Sequence, residues 1–241
     1  MAGLISLSSK ERPKLSVQKL LLIVGLVGLI WAPFFIYPIF VMKVLCFALF
    51  AFNLLLGYAG LLSFGHATFF GGAAYFTAYA VKEWSVPPEL GILIGVAGAS
   101  LLGLVMGFVA IRRQGIYFAM ITLALSYMFY FFCLQAKFTQ GEDGIQSVPR
   151  GYLFGVLDLN NSLNMYYFVL AVFLIGVLIT WRFINSPFGM ILKSIRENEQ
   201  RAISLGYSVA HYKLGAFVMS AALAGLAGAV KALVFQFATL T

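Results

Sequence analysis

Residues 90–111 read LGILIGVAGASLLGLVMGFVAI, twenty-two positions without a charged side chain, closed by Arg112 and Arg113. As a helix rising about 1.5 Å per residue, this run is about 33 Å long. That length crosses a hydrocarbon core of about 30 Å. Gly91, Gly95, Ala99, Gly103 and Gly107 place a small residue at every fourth position. Such spacing draws one smooth stripe along a helix, and in lipid small-residue stripes let helix backbones approach closely and pack by dispersion. The run therefore reads as one membrane span that expects helical neighbours.

Further apolar runs lie on both sides: 20–40, 44–62, 67–81, 117–134, 165–181 and 214–237. Between the third and fourth runs, Pro87 and Pro88 mark a loop, because paired prolines end helices. The first run exceeds the 7–15 residues of a signal-peptide core and is read as a retained span. The last run repeats the small-residue pattern with Ser220, Ala224 and Gly228, so it too should lie against other helices. The expected fold is all-α: a polytopic membrane helical bundle of about seven spans. A tail over 1–19 precedes one transmembrane domain over 20–241, with polar loops at 135–163 and 182–213.

Composition agrees. Of 241 residues, 62% are hydrophobic and 10% charged, against about 45–50% apolar and 25% charged in an ordinary globular domain. A soluble fold of this size could not hide so much apolar surface. The net charge of +8 reads as topology, not as a nucleic-acid footprint. With the N-terminus in the cytoplasm, 11 basic residues against 3 acidic ones fall on that side, while the external loops hold 4 against 5. This satisfies the positive-inside rule, placing loop 135–163 outside and 182–213 in the cytoplasm. Cys46 and Cys133 both sit in apolar runs and read as small hydrophobes. No cofactor and no metal is assigned.

Two segments break the apolar pattern. Residues 57–72, GYAGLLSFGHATFFGG, carry five glycines with polar Ser63, His66 and Thr68 where the second and third runs meet. Irregular backbone at membrane depth is tolerated only when buried in protein or lining a wet cavity. The segment reads as a broken or re-entrant element near a translocation path. His66 is a functional candidate there; a histidine bonding a carbonyl at the cytoplasmic interface is the plainer alternative.

Residues 182–213 form the largest charged segment, and within it 186–207 read SPFGMILKSIRENEQRAISLGY. Ser186 can cap a helix with Pro187 in its first position. Ile191, Leu192 and Ile195 share one face, and Gly206 suits a left-handed stop. A short amphipathic helix pair is expected between two spans, either lying in the headgroup layer or docking a cytoplasmic partner.

This stretch resembles the cytoplasmic coupling loop of ABC-importer permeases, whose pattern is Glu-Ala-Ala, three residues, then Gly. Gln200-Arg201-Ala202 followed by Gly206 matches the third and last positions and departs at the first two, with Glu199 one residue out of register. Such departures resemble the branched-chain amino-acid permease family. Ser186, Gly189, Ile195 to Glu199, Arg201, Ala202 and Leu205 to Tyr207 follow its recurring pattern, as do the glycine-rich segment, residues 115–124 (GIYFAMITLA) and residues 141–145 (GEDGI). Together they most resemble the M-type of its two permease subunits, over about residues 45–241.

The resemblance implies an importer of branched-chain, hydrophobic amino acids in the cell inner membrane. It implies a second permease subunit, two cytoplasmic ATPase subunits, and a periplasmic or extracellular substrate-binding protein. It also implies further spans beyond Thr241, so the chain is expected to be C-terminally truncated relative to the family. Urea or short amides are the alternative cargo. The chain has no Gly-x-x-x-x-Gly-Lys-Ser/Thr loop to cradle phosphates, so it is read as a non-enzymatic subunit whose energy comes from a partner. Glu199, Arg201, Ala202 and Gly206 are assigned to the ATPase contact. Gly57, Gly60, Ser63, His66 and Thr122 are assigned to the substrate path. An ion-coupled carrier is disfavoured because all eight acidic residues fall in expected loops. A membrane hydrolase built on Ser63 and His66 would need a nucleophile and base within hydrogen-bond reach.

Overall fold

The computed structural model describes residues 25–239, apart from 26, 52–56, 58, 114, 137–138, 142, 154 and 156. The expected tail over 1–19 lies outside the described residues. The elements are a helical stretch over 27–35 (α1), then α2 (Pro38–Ala51), α3 (His66–Lys82), α4 (Pro88–Ala110), α5 (Ile116–Gln135), strands β1 (Tyr152–Leu153) and β2 (Leu157–Asp158), α6 (Ser162–Ile184), α7 (Pro187–Glu197), α8 (Glu199–Ser204) and α9 (Val209–Phe235). Among the described residues, α4, α5, α6 and α9 are long and apolar enough to cross a membrane. The protein is a multi-pass helical membrane bundle.

Helix α9 is its axis: 72% of its most apolar stretch is buried, against 33% for α4 and 22% for α5 and α6. The small-residue stripes explain why. A Cβ on Gly103 would come within 2.5 Å of the Ala221 methyl, and one on Gly107 within 2.9 Å of Leu214 and Phe217. A Cβ on Gly225 would strike Ala99, and one on Gly228 would strike the Phe70 carbonyl. Backbones of α3, α4 and α9 are thus held at a separation that only hydrogen or methyl groups permit. Helix α3 is buried along most of its length, so its 17 residues need not face lipid.

Aromatic side chains fill one end of this core. Phe217 meets Phe69 and Phe118 edge-to-face, with centroids 5.5 and 5.9 Å apart. At the other end, Met42, Met165, Tyr166 and Leu233 are fully buried.

Several boundaries differ from expectation. The break between the first two runs falls at Ile36 and Tyr37, before Pro38, instead of at 41–43. Proline is pre-set for the first turn of a helix, so α2 starts there. Lys43 accordingly lies inside α2 and not in a loop. Helix α9 starts at Val209, which brings Lys213 into the helix. The polar loop 135–163 contains a two-residue hairpin pairing Tyr152 with Asp158 and Leu153 with Leu157.

The same loop clasps the end of α9. Ile145 and Ala238 exchange backbone hydrogen bonds of 3.1 and 2.9 Å. Arg150 donates to the Leu233 and Val234 carbonyls at 3.3 and 2.9 Å, satisfying groups that a helix C-terminus leaves open. Burial pulls the Arg150 guanidinium below its ordinary pKa.

The two bundle ends are distinct. Lys82, the last residue of α3, donates to the Gln146 carbonyl at 3.0 Å, joining that helix end to the polar loop between α5 and α6 at one end of the bundle. Arg112 borders a cleft with His211 near α8 at the other.

Candidate functional site: a helical lever joined to a glycine-rich break

Helix α7 begins as its sequence dictates. Ser186 Oγ accepts from the Gly189 N–H at 3.3 Å, and Pro187 occupies the first turn. Leu192 and Ile195 are buried, and Ile191 is half-buried on the same side. Asn198 then ends α7 and caps α8, its Oδ1 accepting from the Arg201 N–H at 3.0 Å. Gly206 stops α8 at φ +86°, where its N–H donates to the Ile203 carbonyl at 2.9 Å. A residue with a Cβ avoids this left-handed region.

The residues assigned to the ATPase contact divide. Arg201 and Gly206 are exposed, whereas Ala202 is buried with Ile195 and Val209. Glu199 forms a 2.8 Å ion pair with Lys213, whose side chain is only 6% exposed. Ala202 and Glu199 therefore fasten the helix pair to the base of α9. The outward face is a cleft of about 590 Å³ bordered by Met190, Ser194, Arg201, Leu205 and Tyr207.

The inner side of α7 reaches the glycine-rich segment. Arg196 donates from its guanidinium to the Gly57 carbonyl. Gly60 sits beneath the Arg196 stem with φ +67°, and a Cβ there would lie 3.1 Å from Arg196 Cγ. Gly57 and Ala59 each have π-helical backbone; residues 60–64 are not helical, and α3 begins at His66.

The residues assigned to a substrate path fall into three places. Gly57 and Gly60 lie against Arg196. Ser63 and Thr122 approach one another across Gly65, whose added Cβ would lie 3.4 Å from Ser63 Oγ and 3.5 Å from Thr122 Cβ. Thr122 is fully buried and donates to the Ala119 carbonyl at 2.9 Å. His66 turns the other way, with Nε2 2.8 Å from Ser220 Oγ on α9. Ser63 Oγ instead accepts from the Gly65 N–H at 3.2 Å, so the two side chains are not joined as nucleophile and base. Beside them, a groove of about 320 Å³ runs between α3 and α5, bordered by Phe64, Thr68, Leu123, Ser126 and Tyr127.

Sequence reasoning gives no site role to Arg196, Asn198, Lys213 and Ser220. Asn198 had a local signal, an Asn before Glu and Gln at a helix start. The other three act over distances that no local pattern reports.

Residues 34–241 match the family described as branched-chain amino acid transport system / permease component. The chain belongs to this permease family. Relatives include the high-affinity branched-chain amino acid transport system permease protein LivM of Salmonella typhimurium, 28% identical over 205 residues, and that of Escherichia coli, 29% identical over 204. Each alignment covers 73% of this chain and 47% of the relative, so the permease chain spans about half the length of the curated relatives it matches. No solved structure matches it.

Proposed function

We propose that this permease chain is the M-type membrane subunit of an ABC importer that carries branched-chain, hydrophobic amino acids across the inner membrane. It crosses the bilayer about seven times with its N-terminus in the cytoplasm. A second permease subunit completes the path, a periplasmic or extracellular binding protein delivers substrate, and two cytoplasmic ATPase subunits drive the cycle. The α7–α8 pair is the lever they grip.

One observation carries this reading: the lever has two firm joints to the bundle. Glu199 and Lys213 tie it to the central helix. Arg196 ties it to the Gly57 carbonyl, where helical backbone gives way. A rigid-body shift of the lever would move α9 and the glycine-rich break together. The exposed Met190, Leu205 and Tyr207 supply the apolar docking face. The helix start at His66 and the neighbouring aromatic groove support a path at the broken segment, since broken-helix ends near mid-membrane commonly receive polar substrate groups.

The test is uptake by vesicles containing this chain with its partner subunits. Leucine accumulation that requires ATP and the ATPase subunits is expected. Accumulation driven by a Na⁺ or H⁺ gradient without them overturns the reading, and transport of urea but not leucine overturns the cargo.

A further inference from the structure

Lys231 is a cation inside the bundle that makes no ion pair among the described residues. It sits in the penultimate turn of α9, half-buried. Its ammonium lies 5.0 Å from the Phe70 ring centroid and 5.9 Å from that of Phe235. Phe70 in turn packs with Phe50 at 4.8 Å and Phe47 at 6.0 Å. A second cation, exposed Lys43, stands 4.8 Å from the same Phe235 ring. Two lysines thus share one ring beside a wall of phenylalanines.

Neither ordinary account of a membrane lysine covers this one. A lysine that snorkels extends toward the nearest bundle end. The Lys231 ammonium stands closer to the Phe70 ring, at 5.0 Å, than to that of Phe235, one turn nearer the end, at 5.9 Å. Nor does it cap the helix, because Arg150 already holds the Leu233 and Val234 carbonyls. Ring faces attract an ammonium but do not neutralise it. Cations at membrane depth mark ligand paths or meet a counter-charge, and none of the described acidic residues, including Glu83, Glu89 and Asp143 at this end of the bundle, forms an ion pair with Lys231.

We propose that Lys231 is a carboxylate-binding site for the transported amino acid. Its ammonium takes the α-carboxylate, while Phe47, Phe50 and Phe70 face the hydrophobic side chain. Lys43, nearer the open surface, draws the anion toward it. This inference rests on the reading of the chain as an amino-acid permease, and it names a residue that neutral cargo such as urea would not need. A lipid phosphate offers the same anionic chemistry, and the experiment separates the two.

Leucine uptake is measured in vesicles carrying the chain with its partner subunits. Lys231→Met is expected to raise the half-saturating leucine concentration roughly tenfold or more, the loss of one charge-assisted contact, while Lys231→Arg stays near wild type. In a Cys46→Ala/Cys133→Ala background, Lys231→Cys should regain uptake after aminoethyl methanethiosulfonate, which restores an ammonium. It should not regain uptake after the neutral methyl reagent. Unchanged half-saturation in Lys231→Met, or equal rescue by both reagents, overturns the site. So does a Lys231→Met defect that appears in anionic-lipid vesicles and vanishes in neutral ones, which would make lipid phosphate the ligand. If wild type itself accumulates no leucine, the reading of function fails first, and the site falls with it.

Discussion

The Glu199 carboxylate lies 2.8 Å from the Lys213 ammonium, and the two side chains are unequally buried, 25% against 6% exposed. A buried charge stripped of its partner loses hydration with nothing in return. The pair is therefore both a weld between lever and axis and a liability if halved.

From that inequality we expect asymmetric costs. Glu199→Gln strands the deeper charge and should destabilise the protein by about 3 kcal/mol, the scale of breaking a buried pair. Lys213→Met leaves a carboxylate that water can still reach and should cost less. The double variant should recover part of the loss, giving a non-zero coupling energy in a thermal-denaturation cycle. Equal costs for both single variants, with simple additivity in the double, would show that the ion pair joins nothing.

Gly206 offers a way to damage the lever without touching the bundle. At φ +86°, alanine should cost about 1 kcal/mol. Proline cannot adopt that angle, and it removes the N–H that bonds the Ile203 carbonyl. Gly206→Pro should insert in the membrane normally yet fail to stimulate the partner ATPase. Normal stimulation would remove Gly206 and its turn from the docking role.

What the sequence disclosed follows from what is local. The stripe from Gly91 to Gly107 is a period within one helix, and it marks the close-packed face of α4. Ser186, Pro187 and Gly206 are caps, read one residue at a time, and each stands where expected. Glu199 and Lys213 are fourteen residues apart, and Arg196 reaches Gly57 across 139. No spacing rule spans such intervals, so the contacts that Glu199 and Arg196 make with other elements are not legible in the sequence. Lys231 escaped for another reason: one lysine in a long apolar run barely lowers its hydropathy. The start of α2 was legible in Pro38 but was overridden by the continuity of apolar residues on either side.

Close packing gives a stability test. Gly228→Ala drives a methyl into the Phe70 carbonyl, and backbone cannot step aside as a side chain can. A loss of about 1–3 kcal/mol is expected from overpacking. Gly28→Ala, with nothing within 4 Å of the added carbon, is the matched control and should be near neutral. Melting temperatures in detergent decide it; similar melting of the two variants would mean that α3 and α9 are free to separate.

The two bundle ends make orientation a measurable property. Ser208 and Asn161 are both exposed, the first at the foot of α9 beside the lever, the second capping α6 through the Leu163 N–H at 3.1 Å. One passage of α6 lies between Asn161 and the lever. Single cysteines at these positions, in a chain with Cys46 and Cys133 replaced by alanine, should therefore react with a membrane-impermeant maleimide from opposite sides. The positive-inside rule assigns the sides: the Arg112, Arg113 and lever end in the cytoplasm, the Asn161 loop outside. Cysteine at 161 should label in intact cells, and cysteine at 208 only after the membrane is opened. Labelling of both from one side would mean that α6 does not cross, and reversed labelling would put the lever where no ATPase could grip it.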